Sequence, residues 1–306
     1  MWPPDSECSS QYRWIGCYPL STMASQPLPL TVGRPRRGPL GTISESIVSL
    51  VRRRRLIWYL ADSTLRKGDG SSLLGNLWLV LDPTLQLAIY YVVIGVILKR
   101  PEPAFPLFLF AAILPWRWFT MAISSGTESV RRRGKVMQQI AFPHLVLPVA
   151  AVGASFGSFI FGLIPLAAIY IFYPDRLTPW VLLTPVIMAI QLLWTLPIAI
   201  LLSAMNVFYR DIGNLVKHML RLGFYLSPAL FSYERMLNAA AAHPPADLIL
   251  GLNPMAWILN SYRDLFYFGR APDWGALLIV GFASLPVTLI AIYVFRKVSP
   301  NFVKVL

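Results

Sequence analysis

The sequence predicts an all-α integral membrane protein. It would have six transmembrane helices, an N-terminal amphipathic interface helix and a re-entrant outer hairpin between spans five and six. Three observations predict it. Hydrophobic residues make up 56% of the 306-residue chain and charged residues only 13%, about half the charge of a soluble domain at ~25%. Six apolar runs reach the ~20 residues that cross a bilayer core. The cations between those runs gather on one side. The net charge of +13 comes from 14 acids set against 27 Lys and Arg. With a mean hydropathy of +0.57, that imbalance fits basic cytoplasmic loops and not a nucleic-acid surface. It also excludes intrinsic disorder of the whole chain. Cys8 and Cys17 are the only cysteines, which excludes a disulfide scaffold and a cysteine metal site.

Residues 1–43 read as a disordered cytoplasmic tail. Seven prolines and the basic run Arg34, Arg36, Arg37 fall there, and no apolar stretch has signal-peptide length. Met23 is an alternative start that would remove both cysteines. Residues 44–68 space Ile47, Leu50, Val51, Ile57, Leu60 and Leu65 at three- and four-residue intervals, with Arg52–Arg55, Arg66 and Lys67 on the polar side. This predicts a basic helix lying on the membrane surface. The expected spans are about 73–98, 106–127, 145–173, 179–206, 215–232 and 274–296. Several contain proline, which spanning helices tolerate when neighbours or water satisfy the freed carbonyls.

The stretch 248–268 is long enough to span but holds Asn253, Pro254, Asn260, Arg263 and Asp264. With six spans and the N-terminus inside, sixteen Lys and Arg beyond the tail fall on the cytoplasmic side and six outside. A seventh span would move Arg296, Lys297 and Lys304 outside. The positive-inside bias therefore favours a hairpin within 232–270 that enters and leaves on one face.

Two charges lie inside expected spans. Asp82 is about nine residues into span one and Arg117 about eleven into span two, so at 1.5 Å per residue both sit about 14 Å from the cytoplasmic side. Each alone costs about 2.5–3.5 kcal/mol at a helix centre. They are expected to pair or to face one aqueous path.

Catalytic signatures are absent. Gly33 to Gly38 has the spacing of a phosphate-binding loop but is followed by Pro39 and Leu40, so the loop lysine is missing. There is no H-E-x-x-H, calcium loop or nucleophile elbow. His144, His218 and His243 lie in separate segments. The loop after span two, ESVRRRGKVMQQIAFPHLVLP, joins Arg131, Arg132, Arg133 and Lys135 to an apolar run ending at Phe142. Such a segment can lie across the cytoplasmic face and dock in a partner's groove. A second loop presents Phe208, Tyr209, Arg210 and Asp211.

The ordered set LGNLWLVLDP (74–83), FPLFLFAAILPW (105–116), AFPHLVLP (141–148), SAMNVFYRDIGN (203–214), FYLSPALF (224–231) and LNPMAWILNSYRDLF (252–266) resembles the membrane subunit of ABC-2-type polysaccharide exporters. These are the permeases of O-antigen, teichoic acid and capsule export. The resemblance covers about residues 45–300 and rests on order and spacing, since each motif alone is weak. It implies a multi-pass protein of a bacterial or archaeal cytoplasmic membrane, with both termini cytoplasmic. It implies a homodimer with a separate cytoplasmic ABC ATPase subunit that carries ATP and Mg, with no cofactor on this chain. It implies coupling elements at about 129–143 and 207–214, containing Arg131, Arg132, Arg133, Phe142, Tyr209, Arg210 and Asp211. It also implies a lipid head-group entrance near Arg66 and Lys67, although orientation by positive charge explains those two equally well.

Passage of a glycan calls for a wet path with aromatic faces. The candidates are Trp78, Tyr90, Tyr91, Trp116, Trp118, Phe224, Tyr225 and Trp257, together with Asp82 and Arg117. Enrichment of Trp and Tyr at membrane interfaces is the competing explanation. The expected function is a permease moving a lipid-linked polysaccharide, with membrane lipids and no nucleic acid among its partners. An ABC-2 exporter of a drug or small lipid is one alternative, and would need a closed apolar pocket. A membrane-embedded enzyme of lipid-linked glycan synthesis is the other, and would need converging acids or histidines.

Overall fold

The computed structural model describes residues 39–66, 74–97, 103–134, 142–240, 248 and 250–305. Residues 1–38 of the tail, Lys67 and the loop 135–141 lie outside the described residues. Among those described, five segments are long and apolar enough to cross a membrane: Gly75–Ile97, Phe105–Arg132, Val146–Phe172, Pro179–Phe208 and Trp274–Asn301. They match the expected first four spans and the last one to within a few residues, except that the second runs on to Arg132.

The chain begins with α1 (Pro39–Arg52) and α2 (Arg54–Arg66), where one helix over 44–68 is expected. The break falls at Arg53, inside the run of four arginines. The Arg53 amide is shared between the Ser49 and Leu50 carbonyls at 3.1 Å each. Breaking there lets α1 pack on the last span and α2 on the third, while Arg52–Arg55 stay exposed.

The first span is α3 (Trp78–Tyr90), continued by a π-helical turn over Tyr91–Ile97. Next come α4 (Phe105–Arg132), α5 (Val146–Phe172) and α6 (Thr184–Phe208). Helix α4 is the hub and packs against α3, α5 and α6. Leu107, Leu109, Phe110, Ala112, Ile113 and Ala122 on it are fully buried. Small residues permit this closeness. A Cβ built on Gly126 of α4 would meet Ala199 Cβ of α6 at 2.7 Å. Gly126→Ala should therefore destabilise the protein by about 1–3 kcal/mol through overpacking, read as a lower melting temperature in detergent micelles. An unchanged melt would show that the two helices slide apart freely.

The fifth expected span, 215–232, is helical only as far as Leu226. Helix α7 (Ile212–Leu226) has 15 residues, which at 1.5 Å each is about 22 Å, short of a ~30 Å core. Pro228 is the reason. The residue before a proline is driven out of the helical region, and Ser227 sits at φ −105, ψ 152. The chain turns over 227–231 and resumes as α8 (Tyr233–Ala240).

The ambiguous stretch folds as α9 (Pro254–Arg263) with a π-helical turn over Asp264–Phe268. Asn253 caps it by accepting the Met255 amide at 3.1 Å, and its side-chain amide donates to Ser227 Oγ at 2.7 Å. Gly269 ends it at φ 63, where an added Cβ would meet Thr178 Cγ2 at 2.6 Å. The element is interior: Ala256, Ile258, Leu259, Tyr262, Arg263 and Leu265 are fully buried. Polar bonds fix it to neighbouring helices and loops. Tyr170 Oη donates to the Phe266 carbonyl at 2.7 Å and Tyr267 Oη to the Pro103 carbonyl at 2.8 Å. The Arg263 guanidinium donates to the carbonyls of Pro228, of Ala229 and Phe231 at 2.8 Å each, and of Phe108 at 3.4 Å. It also lies 4.1 Å from the Phe108 ring centroid. Arg263 thus supplies donors to three carbonyls of the turn after α7 and to one of α4.

The last span is α10 (Trp274–Val298), followed by α11 (Phe302–Val305). Phe302 is fully buried in a second apolar cluster with Val130, Leu145, Val207 and Phe295. Its ring centroid is 5.4 Å from Phe295 and 6.0 Å from both His144 and Phe208.

Candidate functional site

Three helices each turn one stripe toward a common cleft. Residues three and four apart share a helix face. On α3 the stripe is Asp82, Gln86, Tyr90, and on α4 it is Arg117, Thr120, Met121, Ser124. On α7 it is Lys217, Leu220, Arg221, Phe224. All of these except Asp82 line a cleft of about 400 Å³, together with Trp116 and Tyr225. Asp82 stands beside it: Arg117 Nη2 donates to Asp82 Oδ2 at 3.0 Å, and Arg117 Nη1 to Gln86 Oε1 at 3.4 Å. The two charges expected at one depth are therefore in contact.

The upper wall is aromatic. Phe224 has its centroid 5.6 Å from Tyr90, 5.8 Å from Trp116 and 5.4 Å from Tyr225. Gly223 allows this approach, since a Cβ there would lie 3.2 Å from Trp116 Cη2. Behind Trp116, α4, α6 and α7 form an apolar groove of about 360 Å³ that includes Phe119, Trp194, Ile198 and Met219.

Of the candidate path residues, the fold brings together Tyr90, Trp116, Arg117, Phe224 and Tyr225, with Asp82 at the edge. It does not bring in the others. Trp78 and Tyr91 are exposed on the first span and do not line the cleft, Tyr91 having its centroid 6.2 Å from Phe105. Trp257 belongs to the inserted element, where its Nε1 donates to the Gly251 carbonyl at 2.9 Å. Trp118 is a correction: it is buried in the core, 4.9 Å from Phe159 and 5.3 Å from Phe156. Successive helical residues point about 100° apart, so Trp118 faces α5 while Arg117 faces the cleft.

A second cavity, of about 590 Å³, lies at the end of α4 where α7 begins. It gathers Arg131, Arg132, Arg210 and Asp211, four of the residues expected to couple to a partner, with Glu128 and Lys217. Glu128 pairs with Arg132 one turn on and with Lys217 at 3.3 Å. Buried Asn206 fastens the 209–213 turn to α4, accepting the Gly213 amide at 3.1 Å and donating to the Thr127 carbonyl at 3.0 Å. Arg133 points elsewhere and donates to Thr64 Oγ1 of α2 at 3.1 Å. Phe142 packs by His144 at 6.1 Å, and Tyr209 is exposed. Arg66 ends α2, and Lys67 lies outside the described residues.

Sequence reasoning missed Lys217, Arg221, Gln86 and Glu128. The signal was present as spacing. Lys217 and Arg221 are four apart, and Glu128 is eleven residues after Arg117, three turns along the same face.

The comparisons with known proteins agree with one another. Residues 55–267 match a membrane-protein family model described as ABC-2 type transporter. An O-antigen export system permease protein RfbA of Myxococcus xanthus is 31% identical over 253 residues, covering 83% of this chain and 96% of that protein. Two proteins of the same description from Klebsiella pneumoniae are 27% and 26% identical over 254 residues, covering 82% of this chain and 95% of each.

Proposed function

Because the chain belongs to the ABC-2 type transporter membrane family, we propose that it is the permease subunit of an ATP-driven exporter. Its cargo would be a lipid-linked polysaccharide of the kind its O-antigen export relatives are named for. The chain works as a homodimer in a bacterial or archaeal cytoplasmic membrane, and a separate cytoplasmic ATPase subunit binds ATP and Mg. Both termini are cytoplasmic. Helices α1 and α2 lie at the cytoplasmic interface. Helix α7 together with the turn after it makes the sixth membrane segment, and α8 and α9 belong to a hairpin that enters from the outer side.

One observation carries this reading: the cleft between α3, α4 and α7 has an aromatic wall above a cationic floor. Tyr90, Trp116, Phe224 and Tyr225 offer faces on which sugar C–H groups stack with weak, sliding affinity. Gln86, Thr120 and Ser124 supply polar atoms along the same path. The floor opens toward the cavity of Arg131, Arg132, Arg210 and Asp211, where ATPase motion would be received. Arg66 and Lys67 would serve a lipid head group.

Deleting the gene should remove long-chain surface polysaccharide and leave lipid-linked polymer inside the cell. Expression of the intact chain should restore export, and Phe224→Asp should not. Normal surface polysaccharide in the deletion strain would sink the proposal. The apolar groove behind Trp116 favours a second reading, export of a small apolar compound. That reading predicts drug or dye sensitivity in the deletion strain with unchanged surface polysaccharide.

A further inference from the structure

Lys217 lines both cavities, so the cations form one ascending series. Arg131, Arg132 and Arg210 lie at the lower cavity, Lys217 at the junction, and Arg221 and Arg117 in the cleft above. From Arg132 to Arg117 along α4 is a climb of about 22 Å at 1.5 Å per residue. Three carboxylates accompany this series: Asp211 lines the lower cavity, and the other two are paired with cations of the series. Glu128 holds Arg132 and Lys217 at the bottom, and Asp82 holds Arg117 at the top. The upper pair is not locked away, since Asp82 is 50% and Arg117 26% exposed. Guanidinium groups bind carboxylate and phosphate alike, and Arg117, which lines the cleft, spends one nitrogen on Asp82 at its edge and the other on Gln86, so the position Asp82 takes on Arg117 also suits a phosphate oxygen.

We propose that the cleft is a phosphate-binding site and that Asp82 is its built-in competitor, holding Arg117 until a phosphate group displaces it. The ligand meets Lys217 and Arg221 first. It gains Arg117 only by releasing Asp82, whose charge then repels it. The outcome is graded affinity and not a deep trap, which suits a group that must leave again. The idea deepens the export reading and rests on it for the direction of passage, but the binding itself does not depend on export.

The test uses the full-length chain in phosphatidylcholine nanodiscs, titrated calorimetrically with farnesyl pyrophosphate, inorganic pyrophosphate and farnesol. Farnesyl pyrophosphate should bind and farnesol should show no dependence on these residues. An exposed ion pair is worth a modest amount, so Asp82→Asn should tighten pyrophosphate binding about fivefold. Arg117→Gln and Arg221→Gln should each weaken it about tenfold or more. Binding of the farnesyl form alone assigns the site to lipid head groups. Equal binding of inorganic pyrophosphate assigns it to free phosphates. The proposal is overturned if Asp82→Asn leaves affinity unchanged or lower, or if neither arginine variant weakens binding. Loss of surface polysaccharide on deletion without any pyrophosphate binding would sink this site and spare the export reading; the reverse pattern would sink export and spare the site.

Discussion

Arg263→Met should abolish a monodisperse, folded protein. The substitution keeps bulk but removes every donor from a fully buried position, leaving the carbonyls of Phe108, Pro228, Ala229 and Phe231 without the guanidinium. An orphaned buried acceptor costs about 1–3 kcal/mol, and several are orphaned at once. Total stability is only about 5–15 kcal/mol, so the loss is a large share of it. Arg263→Lys should rescue only in part. A lysine keeps the charge and three donors but has no planar fork to span carbonyls on two sides. Fluorescence-detected gel filtration after a heating series reads the result. If Arg263→Met elutes and melts like the wild type, the carbonyls after α7 are satisfied some other way.

The second large effect is expected at Phe302. Its ring touches His144 before α5, Phe208 at the end of α6 and Phe295 near the end of α10. It joins the flanks of both proposed coupling elements to the last span. Phe302→Ala should cost about 3–5 kcal/mol locally. This cluster is separate from the main core around α4, so the protein should still assemble, with a lower melting temperature. We expect ATP hydrolysis by the complex to continue while export falls, and Phe302→Leu to restore most of the export and of the melting temperature. Normal export with Phe302→Ala would remove any coupling role. Acid should weaken the same cluster. Burial lowers the His144 pKa, with a hydrogen bond to the Ser299 backbone opposing it. The unfolded chain therefore takes up the proton first, and stability contributed there is lost as pH falls below about 6.5.

The parts of this fold legible in the sequence are those that hydropathy and helical spacing determine. Spans α3 to α6 and α10 follow from apolar runs, because lipid imposes length and polarity directly. The meeting of Asp82 and Arg117 follows from counting residues along antiparallel helices. Tyr90, Trp116 and Phe224 could be nominated as path residues, but only packing shows that they meet in one cleft. What stayed hidden depends on partners distant in sequence. Arg263 reads as a loop cation, and nothing local reveals that its acceptors lie at 108 and 228–231. The turn at Ser227 is masked because apolar residues flank Pro228 on both sides. Arg53 has no glycine or proline to announce a break; α1 and α2 part there because they pack on different spans. Lys217 and Arg221 count toward topology in a charge tally and reveal a second use only when placed beside Arg117.

The Arg263 contacts also set a clock on synthesis. All four carbonyls it serves precede it in the chain, and Pro228 leaves the ribosome 35 residues earlier. At about 5–20 residues per second, that interval lasts roughly 2–7 seconds. Throughout it, the turn after α7 has open carbonyls at Pro228, Ala229 and Phe231 and no guanidinium to fill them. The nascent protein must hold that segment near water, or beside the insertion machinery, until residue 263 arrives. The order of manufacture thus leaves the turn after α7 unsecured while the hub, α4, was finished about 130 residues before Arg263 was added.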